Sequence, residues 1–402
     1  MTRKGNLTLR YAVTQVLYFA AECGTITFAA TYLLNSGFAA DKVGIVLFGA
    51  HFVSFILEQL TADIADRADK NVLPMLIFGL SVISVCALGA VRFLNPPLII
   101  FGILYAAGMF SFATQVPLIN SLSVYYCSRS WKLNYGIGRG MGSLGFALVS
   151  PLFGRLLESS MQWVLPINMA LILLTGISVF FYPKDDSEPV IANQDAERLK
   201  GEEAVSLFEF FAKYKWYAIS LAGVMCIGFI HMMTENYLIE VMRLHGGDSA
   251  DVGTAFFYAT IAEIPGIVFF SRFHKKFGTY KLFAFAALTF FVKMVLYFIA
   301  GSVTALVIAS TLQFCSYGFY CPVQVYYANE CISAGDMVKG QSTIYASHCL
   351  GGALGNLIGG IIIEKSGVRA MLILSIVLGA IGLAILIFTI PKAIKAAKEI
   401  EA

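Results

Sequence analysis

The sequence predicts an all-α membrane protein of twelve transmembrane helices, arranged as two pseudo-symmetric halves of six helices each. Three observations support this fold class. First, 58% of the 402 residues are hydrophobic and only 13% are charged, which excludes an ordinary soluble domain. Second, twelve apolar runs are long enough to cross a bilayer. Third, features of the first half recur in the second.

The apolar runs form two groups of six, separated by a long polar segment. They span residues 11–35, 42–62, 72–92, 97–122, 137–158 and 163–182, and then 215–242, 252–271, 279–300, 303–328, 339–364 and 367–390. We number these predicted spans helix 1 to helix 12. We therefore predict an N-terminal half at 1–182, a cytoplasmic linker at 183–213 and a C-terminal half at 214–402.

Equivalent residues recur at near-constant offsets in the two halves. Glu158 and Glu364 end helices 5 and 11 in similar surroundings, 206 residues apart, and Pro117 and Pro322 lie 205 residues apart in helices 4 and 10. Two parallel six-helix halves imply a central pathway with a binding site near the bilayer midplane.

Glycines also repeat between helices 5 and 11. Gly138 and Gly142 lie four residues apart in helix 5, and helix 11 has glycines at the same spacing at 351, 355 and 359. Small residues at this spacing let two helices approach closely in lipid, so we expect tight helix packing at both places.

The distribution of basic residues predicts the orientation in the membrane. Of the 28 lysines and arginines, twenty lie at the termini, in the linker or in the loops after even-numbered helices, and six lie on the opposite side; Arg139 and Lys293 fall inside apolar runs. By the positive-inside rule, both termini are expected in the cytoplasm of a multi-pass protein of the cell membrane.

Several classes of function are excluded by the absence of their motifs. The sequence has no GxxxxGK[ST] loop for ATP phosphates, no HExxH and no GxSxG. Its eight cysteines lack ligand or CxxC spacing and are typical of small core residues. We expect no enzymatic activity, no cofactor or metal and no nucleic-acid partner, so any work must be driven by a gradient.

Polar side chains form stripes along five of the apolar helices. On helix 10, Gln313, Tyr317, Tyr320 and Gln324 are spaced so that one face of a regular helix carries them all. The alternative to a cavity lining is hydrogen bonding that only holds the bundle together. Candidate substrate-binding residues are Gln115, Asn120, Arg139, Gln313, Tyr317, Tyr320, Gln324, Tyr345 and His348.

Six charged residues lie well inside the predicted spans, where an uncompensated charge costs about 3 kcal/mol. They are Glu22, Glu58, Arg139, Glu235, Glu263 and Lys293. A carboxyl group that alternates between a dry site and a nearby cation can load and release a proton. Glu22, Glu235, Glu263 and Lys293 are the candidates for proton coupling. Sequence proximity favours a Glu263–Lys293 pair, with Glu235 as the other acid and a static ion pair as the alternative.

The segment from Asp63 to Lys70, DIADRADK, resembles the loop signature of the major facilitator superfamily, and Ser271 to Gly278 resembles its degenerate second copy. The resemblance implies that Asp66 and Arg67, in a gate with Asp63 and Lys70, latch the cytoplasmic ends of the halves in the outward-facing state.

Within the superfamily, residues 135–147, YGIGRGMGSLGFA, look like helix 5 of the oligosaccharide:proton symporters of the lactose permease type. The resemblance implies that Arg139 binds substrate hydroxyls, that Phe146 stacks on a sugar ring and that Lys293 belongs to the proton-coupling network. The family's helix 10 His and Glu are Tyr317 and Tyr320 here, which suits nucleosides or aromatic acids about as well as sugars.

These features together favour a secondary transporter that imports a small polar or polar-aromatic solute with protons by alternating access, acting as a monomer in the bilayer. Proton-driven efflux of a drug or metabolite is the alternative transport reaction. A transporter-like sensor or scaffold is the alternative of another class.

Overall fold

The computed structural model describes residues 5–67, 72–185 and 207–401, and within these ranges it contains helices and no β-strand. The α-helices are α1 (Thr8–Glu22), α2 (Ala29–Asn35), α3 (Ala40–Arg67), α4 (Val72–Leu94), α5 (Leu98–Ala113), α6 (Gln115–Ser128), α7 (Tyr135–Ser159), α8 (Val164–Ser178), α9 (Leu207–Lys213), α10 (Lys215–Asn236), α11 (Leu238–Arg243), α12 (Ser249–Val268), α13 (Phe270–Ile299), α14 (Val303–Ser310), α15 (Tyr317–Cys331), α16 (Met337–Ser366) and α17 (Val368–Glu401).

The predicted all-α membrane fold is confirmed. Among the described residues, ten helical segments are long and apolar enough to cross a membrane, and an eleventh is bent by 45° between Thr8–Thr27 and Ala29–Asn35. These eleven match every predicted span except helix 8. In the place of helix 8 lies α12, a 20-residue helix that carries Glu263.

Three of the predicted spans are interrupted at their polar residues. Helix 1 has a π-helical segment at Cys23–Thr27, directly after Glu22. Helix 4 is divided at Thr114, between α5 and α6, and helix 10 has a 3-10 segment at Thr311–Phe314 before α15 begins. Helices 4 and 10 are therefore broken at similar places, in agreement with the repeat seen in the sequence.

The described residues separate into two compact units. The first combines Met1–Phe38 with Ile45–Lys200, and the second combines Ala39–Gly44 with Gly201–Ala402. In the first unit α1 packs on α7 and α8, and α4 packs on α5 and α8. In the second unit α10 packs on α16 and α17, while α13 packs on α15 and α17.

The helix-packing glycines lie where backbones approach closely. In the first unit, a Cβ added at Gly142 would lie 2.6 Å from the Phe19 ring. In the second unit, a Cβ at Gly351 would lie 2.1 Å from the carbonyl oxygen of Met225, and one at Gly228 would lie 2.3 Å from that of His348. Since a side chain at these positions would clash, α1 and α7 in one unit, and α10 and α16 in the other, are close-packed as the sequence predicts.

The end of the predicted linker is anchored within the second unit. Lys213 Nζ donates to Oδ2 of Asp336 at 2.9 Å, and the Tyr214 hydroxyl donates to the same oxygen at 3.0 Å. Burial alone would raise the pKa of Asp336, but these two hydrogen bonds hold it below its usual range. Linker residues 186–206 lie outside the described part of the chain.

Candidate functional site

The first unit contains a cluster of hydrogen-bonding side chains from α1 and α6. Gln15 Nε2 donates to the Tyr11 hydroxyl at 2.6 Å and to Oδ1 of Asn120 at 3.1 Å, and the Tyr11 hydroxyl donates to the same Asn120 oxygen at 3.3 Å. Gln15 and Tyr11 are fully buried, whereas Asn120 is half-buried. The two buried side chains therefore fix the orientation of the one that remains accessible. We call Tyr11, Gln15, Asn120 and Arg139 the N-terminal polar cluster.

Arg139, on α7, is held by neutral groups. Its Nη1 donates to the Ser143 hydroxyl at 3.2 Å, and its guanidinium carbon lies 3.9 Å from the centroid of the Phe19 ring. Among the described residues it forms no ion pair, and Glu22 on α1 interacts with its charge only at longer range. A half-buried guanidinium stacked on an aromatic ring keeps most of its five donors available to a solute.

Other candidates in the first unit differ in accessibility. Gln115 is fully buried, where it accepts from the Ser81 hydroxyl at 3.0 Å and donates to the Ser111 carbonyl at 3.4 Å. These contacts match the structural alternative, in which the amide of Gln115 holds helices together, and a role in substrate binding stays a prediction. Phe146 lies half-buried on α7.

The second unit contains a buried ion pair bridged by an amide. Lys293 on α13 has 2% of its surface exposed, and its Nζ donates to Oε1 of Gln313 at 2.7 Å. Gln313 Nε2 in turn donates to Oε1 of Glu235 on α10 at 3.1 Å, and Lys293 Nζ lies 3.7 Å from that same oxygen. We call Glu235, Lys293 and Gln313 the ion-pair cluster.

Lys293 thus has the partner that sequence proximity ranks second. The helix that carries Lys293, α13, packs mainly on α15 and α17 and only slightly on α12, the helix that carries Glu263. Glu263 lies against Gly318, where an added Cβ would be 3.1 Å from its carbonyl oxygen and 3.5 Å from its Cγ. Glu235 of α10 and Glu263 of α12 thus both contact helix 10 near its break, at Gln313 and at Gly318 respectively.

Two histidines surround the ion-pair cluster. Nδ1 of His231, one turn before Glu235 on α10, lies 3.4 Å from Oε1 of that residue. The His231 ring stacks on Tyr317 with centroids 4.8 Å apart and lies 5.9 Å from the His348 ring. Nδ1 of His348 is 3.3 Å from the hydroxyl of Tyr320. His231 and Glu235 form the polar stripe of helix 7 in the sequence, at i,i+4 spacing, but His231 is not predicted as a substrate-binding or coupling residue.

The predicted face of helix 10 is divided, because Gln313 lies in the 3-10 segment and the other members lie on α15. Tyr320 is fully buried and its hydroxyl donates to the Val224 carbonyl at 3.3 Å. Gln324 Nε2 donates to the Tyr320 carbonyl at 3.3 Å. The spacing rule assumes a continuous helix, and the break removes that assumption. Of these residues, Gln313 contacts Lys293 and Glu235, whereas Tyr317 and Tyr320 contact the two histidines.

The helix 11 stripe is also split between two environments. His348 contacts the buried rings, whereas Tyr345, three residues earlier, has about half of its surface exposed, 53%. Of the predicted gate residues, Lys70 and the side chains of Asp63, Asp66 and Arg67 lie outside the described part of the chain, so the latch stays a prediction.

The helical fold, with polar and ionisable clusters held inside its units, is that of a multi-pass membrane protein. The model of the MFS_1 like family, of the major facilitator superfamily, matches residues 8–374, and the chain belongs to this family.

Its relatives and structural neighbours are transporters as well. The chain is 25% identical over 281 residues to a maltose permease of Geobacillus stearothermophilus, covering 68% of this chain and 67% of the relative. It is 23% identical over 394 residues to the uncharacterized transporter YwbF of Bacillus subtilis (strain 168), covering 95% and 94%. The fold resembles that of the nucleoside transporter NupG, with a TM-score of 0.77 and 16% identity over 97% of this chain and 99% of that one. It also resembles that of a D-xylose-proton symporter, with a TM-score of 0.70 and 14% identity over 96% of this chain and 98% of that one.

Proposed function

We propose that this protein is a proton-coupled symporter for a small hydroxylated solute of the sugar or nucleoside type. The observation that carries the proposal is the buried ion-pair cluster, in which Glu235 contacts Lys293 at 3.7 Å and shares Gln313 with it. Lys293 is buried and Glu235 keeps 26% of its side chain exposed, so the carboxylate can pair with the lysine and still be reached by a proton. Glu235 is thus suited to carry the coupling proton, and Lys293 balances its charge when the proton has left.

The N-terminal polar cluster supplies the chemistry for the solute. Arg139 offers a planar set of donors, Asn120 offers an oriented amide, and Phe146, half-buried on the same helix as Arg139, offers an aromatic ring. Sugars and nucleosides present hydroxyls around a ring, which such groups recognise by hydrogen bonding and stacking. The names of the related proteins, a maltose permease, a nucleoside transporter and a D-xylose-proton symporter, support the same solute class.

The proposal includes the location and orientation that the basic residues predict, namely the cell membrane with both termini in the cytoplasm. In that orientation, a proton gradient directed into the cell drives uptake by alternating access.

Transport by purified protein in proteoliposomes tests this proposal. An imposed pH gradient, acidic outside, should drive accumulation of a labelled sugar or nucleoside, with the external pH rising as solute enters. Glu235→Gln should keep solute exchange but lose accumulation, since an amide cannot carry a proton. Glu58→Gln is the matched control, because Glu58 is an in-span acid whose carboxylate accepts from Ser54 of its own helix, at 2.9 Å. Gradient-driven loss of solute would instead support efflux, and the absence of any flux would support a sensor.

A further inference from the structure

One ring nitrogen next to the ion-pair cluster has no hydrogen bond. His231 has 4% of its surface exposed, and among the described residues its buried Nδ1 has no hydrogen-bond partner. Oε1 of Glu235 lies 3.4 Å from this nitrogen. A buried polar atom without a partner costs free energy, so its persistence beside a carboxylate needs a reason.

The His231 ring is held in place by its neighbours. It stacks on Tyr317 of α15, meets Phe290 of α13 edge-on at 5.2 Å and lies 5.9 Å from the His348 ring of α16. Besides Glu235, the ionisable groups that interact with it are Lys293 of α13 and His348. Contacts from three helices hold the ring in one plane, with its Nδ1 facing Glu235.

The two protonation states of Glu235 need different partners. The ionised carboxylate accepts hydrogen bonds, and Gln313 Nε2 and Lys293 Nζ both face it with donors. The protonated carboxyl becomes a donor and needs an acceptor. Lys293 has none, and Oε1 of Gln313 already accepts from Lys293. Of the described protein groups whose contacts with Glu235 are given above, Nδ1 of His231 is the acceptor that remains.

We propose that Nδ1 of His231 accepts the hydrogen bond of protonated Glu235, and that His231 is thereby a positioning residue for the coupling proton. The ring stays neutral, with its own proton on Nε2, and no proton is transferred to it. The inference rests on the proposed function in taking Glu235 as the proton carrier. It adds that each protonation state of Glu235 has its own hydrogen-bonding partners. Lys293 and Gln313 donate to the ionised carboxylate, and His231 accepts from the protonated carboxyl.

The test compares the pH dependence of solute uptake in proteoliposomes for wild type and three variants. His231→Phe keeps the ring but removes the acceptor, so protonation of Glu235 should weaken about tenfold and the pH midpoint should move about one unit toward acid. His231→Asn keeps an oxygen near the place of Nδ1 and should retain the wild-type midpoint. His245→Phe, in the loop before α12, is the control for histidine loss.

An unchanged midpoint in His231→Phe, or equal shifts in the Phe and Asn variants, overturns the inference, because either result assigns His231 a role in packing alone. Nitrogen NMR of histidine-labelled wild type gives a readout independent of the variants' folding, with His231→Asn used to assign the signal. The expected tautomer carries its proton on Nε2, and a proton on Nδ1 or a charged ring contradicts the proposal. Absence of gradient-driven uptake in wild type would instead refute proton symport, which is a separate outcome.

Discussion

The N-terminal polar cluster and the ion-pair cluster each contain one cation inside an apolar span, but the two cations differ in burial and in their partners. Lys293 has 2% of its surface exposed, and its Nζ contacts both Gln313 and Glu235. Arg139 is half-buried and is held by a serine hydroxyl and the face of Phe19. A compensated charge is suited to exchanging a proton, whereas a charge with free donors is suited to binding a solute. This difference favours coupling in one half and recognition in the other.

Removal of the buried cation should have the largest effect. Lys293→Met leaves Glu235 without its counter-charge, and loss of one partner of a buried pair typically costs about 3–5 kcal/mol, less here because Glu235 keeps 26% exposure. We expect a clear fall in thermal stability in detergent and loss of accumulation. The double variant Lys293→Met/Glu235→Gln should recover most of the stability but not the coupling. If Lys293→Met is as stable as wild type, the Lys293–Glu235 pair does not contribute to stability.

Substitution of Arg139 should lower solute affinity without a comparable loss of stability. A hydrogen bond to a charged group contributes about 1.5–3 kcal/mol, so Arg139→Ala should weaken binding roughly 10- to 100-fold. Ser143→Ala is the control, since it removes the partner of Arg139 but keeps the charge. Binding is measured by the stabilisation that the solute confers on the purified protein. Wild-type affinity in Arg139→Ala would remove α7 from the solute site.

The bridging amide provides an intermediate case. In Gln313→Leu, Lys293 and Glu235 each lose one hydrogen bond but keep each other at 3.7 Å. The expected cost is about 1–3 kcal/mol, below that of Lys293→Met. Thermal unfolding of both variants under one condition checks the order. Gln313→Leu as costly as Lys293→Met would show that the amide, and not the direct ion pair, holds the cluster together.

The smallest effect is expected for the ion pair at the end of the linker, outside the apolar spans. Lys213 is 41% exposed, so Lys213→Ala should cost about 0–1 kcal/mol. The pKa of Asp336 lies below its usual range, so its stabilising contribution is present above the unfolded-state pKa, near 4, and is lost as the pH falls through the lowered value. Melting curves of wild type and Lys213→Ala should therefore converge in acid. A difference that does not shrink as the pH falls would argue against this ion pair.

Features with a regular period were predictable from the sequence, and features made by tertiary contact were not. Apolar runs and basic residues predicted the spans, and four-residue glycine spacing predicted the close approach at Gly142 and Gly351. The partner of Lys293 depends on which helices α13 packs against, and no spacing rule encodes that choice. The break at Thr311–Phe314 likewise displaced Gln313 from the α15 face, because helical periodicity says nothing about where a helix is interrupted.

The contact of Gly228 with the His348 carbonyl, and of Gly351 with the Met225 carbonyl, has a mechanical consequence. Backbones this close have no room to slide past one another, because each step along the axis would bring a side chain into the space that only glycine leaves. Helices α10 and α16 are therefore expected to move as one rigid body. His231 and Glu235 lie on α10 and His348 lies on α16. The distances among these three side chains are therefore preserved in any conformational change that moves the two helices together.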